Sequence, residues 1–196
     1  MEWEIGIMLI GIDAGHWKYE SGKRHTKDLC TEERSEWEDN RAVAEKLETI
    51  LTLNNIPWIR LDDRTGETYT SLSARYKKAN ESGCTLVISI HHDAHGRDNH
   101  FDNTSGITVF HYPKAIRKEQ AERLYELLIS ETGLTGNRAN PIQATDNFAM
   151  VRRPKAPAFL VELGFMDSAN DHELLHNDNF HMLCARAIAQ FCIEEG

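Results

Sequence analysis

Two patterns of hydrophobic and polar positions alternate along the chain. Short, mostly apolar runs are typical of strands buried in a parallel sheet, and they occur at 5–12, 57–61, 86–90, 107–112 and 158–162, with the run at 86–90 free of charge and rich in β-branched residues. Apolar residues at three- and four-residue spacing predict helices, which begin at residue 36 and cover 71–81, 115–131 and the chain from about 179. The segment 133–147 shows neither pattern and is predicted to be irregular. This alternation predicts an α/β fold, with a twisted, largely parallel central sheet flanked by helices on both faces.

The size and charge of the chain narrow the class of protein. A chain of 196 residues with 40% hydrophobic residues has the size of one α/β domain, and no linker or repeat divides it, so we expect a single domain over residues 1–196. The formal net charge of -9 argues against binding nucleic acid or an anionic membrane through a broad basic face. The N-terminus is acidic, and its apolar run is too short to span a membrane. We therefore expect a protein made without a signal peptide, soluble in the cytoplasm and not inserted into a membrane.

Histidines follow two of the predicted strands. The first strand runs into Asp13-Ala-Gly-His16, and the central strand runs into His91, His92 and His95. Open α/β sheets usually place their sites at the carboxyl ends of the strands, so we expect His16 and His91 to lie close together. His92 and His95 are alternatives to His91. Because side chains alternate along a strand, His91 and His92 cannot both point into one site.

An acidic side chain opens the first predicted helix. Ser35 and Glu38 fit a capping box, so the helix should begin at Glu36. Helical spacing back from the apolar residue Val43 places Asn40 and Glu36 on the inward-facing stripe. A buried carboxylate needs a partner, because an unpaired buried charge is costly, and a metal ion would supply one. The alternative is an ordinary first-turn acid favoured by the helix dipole.

A second carboxylate, Glu162, ends the last predicted strand. Two imidazoles and one carboxylate are a common ligand set for catalytic zinc, with a fourth position left for water. We predict one zinc ion, with His16, Glu36 and His91 as its ligands. Glu162 would take the proton of the water and later give it to a leaving amine; alternatively, it pairs with Arg152 or Arg153. The residues thus indicate metal-assisted hydrolysis of an amide.

Several motifs, in order along nearly the whole chain, resemble those of the zinc-dependent N-acetylmuramoyl-L-alanine amidases. They are Ile12-Asp-Ala-Gly-His16, Glu36 four residues before Asn40, Leu72-x-x-Arg75-x-x-x-Ala79-Asn80, Ser89-Ile-His-His-Asp-Ala94, and Val161-Glu-Leu-Gly-Phe165 followed by Asp171. Carried over residue by residue, the resemblance makes His16, Glu36 and His91 the zinc ligands and Glu162 the catalytic glutamate. It implies that the substrate is bacterial peptidoglycan. The bond broken would be the amide between N-acetylmuramic acid and L-alanine of the stem peptide.

The chain departs from the family pattern after His16. Trp17-Lys-Tyr-Glu20 stands where glycines are usual, and the loop that leads to Glu36 is longer. Glu20, Glu32 and Glu33 are therefore alternatives to Glu36 as a ligand.

The resemblance also implies how such a protein would act. The expected partner is peptidoglycan, the expected state is a monomer, and no wall-binding module is visible in the chain. Without a signal peptide, the protein would be a phage endolysin or a similar enzyme that acts on the cell wall after release. Two other functions stay open: a zinc peptidase that cuts within the stem peptide, and a non-catalytic wall-binding module of the same fold.

Overall fold

A six-stranded sheet forms the centre of the molecule. In the computed structural model of the protein, the structure describes residues 8–23, 34–95 and 103–195. The strands are β1 Ile10–Ala14, β2 Trp58–Arg60, β3 Leu86–Asp93, β4 Thr108–His111, β5 Ile142–Ala144 and β6 Ala158–Phe165. Their order across the sheet is β2-β1-β3-β6-β4-β5. β2, β1, β3 and β6 run parallel to one another, whereas β4 is antiparallel to β6 and parallel to β5.

Helices cover both faces of this sheet. They are α1 Glu36–Leu53, α2 Leu72–Glu81, α3 Ala115–Thr132, α4 Ala149–Arg152, α5 His172–Leu175 and α6 Asp178–Glu195. On one face, α1, α3 and α6 enclose the main hydrophobic core, which includes Ile12, Ile88, Leu47 and Phe191. On the other face, α2 and α4 pack over a smaller buried cluster. The predicted single α/β domain, with a largely parallel sheet between helices, is confirmed.

Some element boundaries differ from the prediction. The first strand begins at Ile10, and positions 5–7 of the predicted strand lie outside the described residues. The last strand continues beyond Glu162 to Phe165. The segment 133–147 contains β5, so its prediction as wholly irregular is wrong. Neither β5 nor α4 was predicted, because elements of three and four residues are too short to show a period.

The strand register brings two candidate residues to one face of the sheet. β3 and β6 are neighbours, and His91 pairs with Glu162 across them. Ile88 and Ile90 of β3 enter the main core, so the alternation of side chains turns His91 to the opposite face. That face carries α2 and α4, and both helices line the cleft into which His91 and Glu162 open.

The helices were also compared with the requirements of a membrane span. Among the residues that the structure describes, no helix combines the length and the apolar character needed to cross a membrane.

Candidate active site

The side chains of His16, Glu36 and His91 meet at the carboxyl edge of the sheet. Nε2 of His16 lies 3.2 Å from Oε2 of Glu36, and Nδ1 of His91 lies 3.1 Å from Oε1 of the same carboxylate. One possible ligand atom from each residue lies within 4.8 Å of the other two. The two imidazole rings are edge to face, with centroids 4.9 Å apart. Three residues that are distant in sequence therefore converge on one point.

The turn after β1 brings the two histidines together. The backbone N–H of Gly15 donates to the carbonyl of Ile90 at 2.9 Å, which ties the turn to β3. A Cβ atom at Gly15 would lie 2.1 Å from Cε1 of His91, so only glycine lets this ring come so close to the backbone. His16 itself has a φ of +65°, which is uncommon for a residue other than glycine. The turn thus fixes the position of both imidazoles.

Arg75 of α2 holds the same turn in place. Its guanidinium donates to Oδ1 of Asp13 at 2.8 Å and to the carbonyl of Ala14 at 2.9 Å. It also donates to the carbonyl of His16. Oδ2 of Asp13 accepts a 2.6 Å hydrogen bond from the hydroxyl of Ser89 in β3. Both charged groups are buried, so removing either one would leave the other uncompensated and release the backbone at His16.

Asn40 links α1 to the ends of β1 and β3. Its Nδ2 donates to the carbonyl of Gly15 at 3.1 Å, and its Oδ1 accepts from Nδ1 of His92 at 2.7 Å. The backbone N–H of His92 donates to Oε1 of Glu36 at 3.2 Å. His92 therefore points toward α1 while His91 points into the cluster, as alternation along β3 requires.

The first turn of α1 delivers a charged carboxylate to the cluster. The capping box is formed, with the backbone N–H of Ser35 donating to Glu38 at 2.7 Å, and the helix begins at Glu36 as predicted. Glu36 is 1% exposed. Burial raises the pKa of this group, but hydrogen bonds and attraction from His16 and His91 outweigh burial and hold the pKa of Glu36 well below its usual range. The site therefore favours the ionised form of Glu36, which is the form that binds a cation.

Glu162 faces the same cleft from β6. Burial raises the pKa of Glu162 well above its usual range, and the negative charges of Glu36 and Asp93 raise it further. Basic neighbours act in the opposite direction without cancelling this rise. Within the described part of the chain, Glu162 forms no ion pair with Arg152 or Arg153. Its environment therefore favours the protonated form of this carboxyl group more than water does.

A cleft of about 290 Å³ opens over these side chains. Leu72 and Phe148 contribute apolar walls. Directly after His16, Trp17 packs edge to face against Tyr19 and Tyr69, with ring centroids 5.4 Å and 5.8 Å apart. Tyr69 lines a smaller pocket that also includes His16 and His91. Tyr19 and Tyr69 are 49% and 59% exposed, so this cluster presents an aromatic surface to solvent.

The other candidate ligands occupy different places. Oε2 of Glu20 lies 3.1 Å from Nδ1 of His16, the ring nitrogen that faces away from Glu36. Glu20 can thus orient the imidazole from behind. His95 is exposed, and its backbone N–H donates to the carboxylate of Asp167. Glu32 and Glu33 lie outside the described residues.

Sequence reasoning missed the roles of two residues at the site. Lys23 is 45% exposed at its side chain, and its Nζ lies 3.9 Å from Oε2 of Glu36. Lys23 lies in a charged loop, and no pattern in that part of the sequence indicates that it would approach Glu36. Arg75 had one signal, its place in a family motif, but nothing in the spacing showed that it reaches the turn after β1.

The cluster has the ligand types of a zinc site, and two of its three separations suit one. Ligand atoms at about 2.0 Å from a tetrahedral zinc ion are about 3.3 Å apart, close to the 3.2 Å and 3.1 Å separations from Glu36 to the two imidazoles. Among the described residues, Oε2 of Glu162 is buried and lacks a hydrogen-bond partner, and Oε2 of Glu36 is buried with Nε2 of His16 at 3.2 Å. Buried polar atoms usually have partners, so a cation at this point would satisfy the carboxylate of Glu36.

A family model identifies the chain. The model for N-acetylmuramoyl-L-alanine amidases, Amidase_3, matches residues 10–194. The chain belongs to the N-acetylmuramoyl-L-alanine amidase family. Membership in this enzyme family confirms the resemblance predicted from the motifs.

Solved structures and a curated relative from this family show the extent of the similarity. An N-acetylmuramoyl-L-alanine amidase from Clostridium difficile 630 is 26% identical, with a TM-score of 0.81 over 95% of both chains. The catalytic domain of the amidase CwlV from Bacillus (Paenibacillus) polymyxa var. colistinus is 25% identical, with a TM-score of 0.80 over 95% of this chain and 97% of that one. The probable cell wall amidase LytH of Staphylococcus aureus is 30% identical over 125 residues, which are 64% of this chain and 38% of LytH. The chain thus spans well under half the length of that relative.

Proposed function

We propose that this protein is a zinc-dependent amidase that hydrolyses the bond between N-acetylmuramic acid and L-alanine in bacterial peptidoglycan. One observation carries the proposal. His16, Glu36 and His91 converge on one point, and Glu162 faces the same cleft, in a chain of the amidase family. A cell-wall substrate agrees with the name of the relative LytH, a probable cell wall amidase.

His16, Glu36 and His91 would hold the zinc ion. When bound, zinc supplies a Lewis acid that lowers the pKa of a water to about 7 and polarises an amide carbonyl. The neutral imidazoles and the ionised carboxylate of Glu36 are the forms that bind metal. Asn40 and Arg75 donate hydrogen bonds to the carbonyls of Gly15 and Ala14. These bonds fix the turn that carries His16, as supporting residues around metal sites commonly do.

Glu162 is the proton carrier in this proposal. It takes a proton from the attacking water and gives it to the nitrogen of the leaving L-alanine, which breaks the carbon–nitrogen bond. Burial and neighbouring negative charge raise the pKa of Glu162 and so increase its affinity for a proton. A carboxyl group of this kind can accept the proton of the water and then donate it to the leaving nitrogen.

We also propose that residues 1–196 act as one catalytic unit, as a monomer, on the cell wall after release. The stretch matched by the family model covers almost all of these residues, and the candidate residues come from three neighbouring strands of one sheet, β1, β3 and β6, and from the first turn of α1. Peptidoglycan would therefore reach the zinc directly through the open cleft.

The test is mass spectrometry of fragments released from purified peptidoglycan by the zinc-loaded protein. Wild type should release stem peptides that begin at L-alanine, and Glu162→Gln should reduce the rate by about a thousandfold while zinc content stays unchanged. Glu81→Gln, at an exposed glutamate of α2, is the matched control and should keep full activity.

Each other result points to a different function. Fragments that begin at a later residue would identify a peptidase that cuts within the stem peptide. Binding to walls without any release would identify a non-catalytic module. Near-normal activity in Glu162→Gln would remove Glu162 from the mechanism.

A further inference from the structure

A second cavity lies on the same face of the sheet as the active site. It has a volume of about 240 Å³ and lies where α4 and the start of β6 meet the residues after β4. Four basic residues line it: Lys114, Arg117, Arg152 and Lys155. No acidic residue is among its described lining, which is completed by small and apolar side chains and the ring of Tyr112. The cavity therefore concentrates positive charge in a chain whose net charge is -9.

The positive charge of this cavity is not neutralised from within the described structure. Across residues 8–23, 34–95 and 103–195, none of the four basic side chains pairs with an Asp or Glu. Arg117 donates to the neutral Oε1 of Gln120 at 2.6 Å. Nζ of Lys114 lies 5.7 Å from the centre of the Tyr112 ring, a contact that keeps the ammonium charge. Like charges held together repel one another, and an anion in the cavity would relieve that repulsion.

The basic wall is held in place by a side chain of α2. Nδ2 of Asn80 donates to the carbonyl of Arg153 at 3.2 Å, and the backbone N–H of Lys155 donates to Oδ1 of Asn80 at 2.7 Å. These two bonds clamp the short connection between α4 and β6. The backbone that carries Arg152 and Lys155 is thus ordered before a ligand arrives, which lowers the entropic cost of binding.

Strand β6 connects this cavity to the active site, and its length between them gives the distance. Ala158 lines the basic cavity, while Leu160 and Glu162 line the catalytic cleft. The three residues alternate along one strand and so share one face. At about 3.3 Å per residue, Ala158 and Glu162 are about 13 Å apart. α4 borders both cavities, with Met150 on the catalytic side and Val151 on the basic side.

We propose that the basic cavity binds the terminal carboxylate of the stem peptide whose first amide bond lies at Glu162. This inference rests on the proposed amidase function and names a subsite for its substrate. An extended peptide spans about 3.5 Å per residue, so a four-residue stem that starts at the cleft ends about 14 Å away. The carboxylate at the end of such a peptide reaches Lys114 and Lys155, and the neutral sugar stays on the other side of the scissile bond.

Two soluble substrates test this subsite. Both are N-acetylmuramoyl tetrapeptides, one with a free terminal carboxylate and one with that group as an amide, so they differ only in the charge that the cavity would bind. With the zinc-loaded protein, kcat/KM should be about tenfold higher for the acid than for the amide, and the difference should lie in KM.

Matched variants show whether the basic cavity causes the preference for the acid substrate. Lys114→Gln combined with Lys155→Gln should abolish the preference, so that kcat/KM becomes the same for the acid and for the amide. Lys77→Gln combined with Lys78→Gln removes the same charge from an exposed face of α2 and should keep the preference. Equal rates of the wild type on both substrates, or a preference that survives in the cavity variant, would overturn the proposal.

A binding measurement separates failure of the subsite from failure of the amidase function. Titration calorimetry with the free tetrapeptide acid, its amide and oligo-glycerol phosphate needs no catalysis. Binding of the acid that is lost in the cavity variant supports the subsite even if neither substrate is cleaved. Binding of the phosphate oligomer alone would overturn it and assign the cavity to a phosphodiester polymer instead.

Discussion

At the scale of single residues, Gly15 has no room for a side chain beside the site. A Cβ atom there would lie 2.1 Å from Cε1 of His91 and 2.3 Å from Nε2, which is far inside van der Waals contact. We therefore expect Gly15→Ala to displace the His91 ring. Zinc bound per chain, measured by metal analysis, should fall together with amidase activity. The free energy of unfolding should fall by about 1–3 kcal/mol.

Gly83→Ala is the control for this substitution. Gly83 has a φ of +71°, but nothing lies within 4 Å of its Cβ position. Alanine there should cost about 1 kcal/mol of backbone strain and leave the zinc content unchanged. Full zinc occupancy in Gly15→Ala would show that this contact does not position a ligand.

The candidate side chains were accessible to sequence reasoning because each stands where an apolar run stops or a helix begins. His16, His91 and Glu162 come directly after or at the end of apolar runs, although β3 and β6 continue beyond His91 and Glu162, and the capping box located Glu36 at the first turn of α1. Arg75 was not accessible in the same way. Its partner Asp13 is 62 residues away, and no local pattern reports a contact between a helix and a distant turn.

At the scale of elements, Asp171 joins the end of β6 to the loop before β4. Its carboxylate accepts from the hydroxyl of Ser105 at 2.5 Å, from the N–H of Gly106 at 2.9 Å and from the N–H of Phe165 at 3.0 Å. Asp171→Ala would leave these buried donors without an acceptor. We expect a loss of about 3 kcal/mol in the free energy of unfolding, measured by urea denaturation.

Asp146→Ala provides the comparison for this loss. Asp146 is exposed, so its substitution should change stability by less than about 0.5 kcal/mol. A similarly small effect for Asp171→Ala would mean that the junction of β6 with the loop before β4 does not depend on the carboxylate.

The direction of β4 in the sheet could not be predicted from the sequence pattern. An apolar run predicts that a strand is buried, but the run reads the same in either direction along the sheet. β4 pairs antiparallel with β6 through Val109–Val161 and Phe110–Leu160, and only these contacts between distant segments set its direction. The basic cavity was missed for the same reason, because Lys114 follows β4 and Lys155 precedes β6, and the two residues line one cavity in a fold that pairs these strands.

At the scale of the whole molecule, a buried histidine connects three helices around the main core. Nε2 of His181 in α6 donates to the carbonyl of Leu175 in α5 at 2.6 Å, and it lies 3.7 Å from Oδ1 of Asp39 in α1. Burial lowers the pKa of His181 below its ordinary value of about 6.5, although the Leu175 hydrogen bond and Asp39 act against this. The unfolded chain therefore binds a proton at this position more readily than the folded chain.

This difference makes stability depend on pH in a defined direction. The contribution of neutral His181 is fully present above about pH 6.5 and is lost as the pH falls through the lower pKa of the folded state. His181→Gln should be less stable than wild type at pH 7.5, and the difference should shrink on acidification to pH 5. Urea denaturation of both proteins across this range measures it. A difference that stays constant with pH would contradict the assignment.

Zinc should couple the catalytic site to the stability of the whole fold, because its proposed ligands come from the end of β1, the start of α1 and the end of β3. A ligand that binds only the folded state stabilises it by about 2.7 kcal/mol at a hundred times its Kd. For a chain of this length, that corresponds to a rise in Tm of about 5–10 °C. Calorimetry with zinc and with a chelator should show this rise in the wild type and in Glu162→Gln, which keeps all three ligands. His91→Ala should show little or none of it. An equal rise in Tm for His91→Ala would place the zinc ion elsewhere. A rise that is lost in His91→Ala but kept in Glu162→Gln would show that His91 holds the metal and that Glu162 does not.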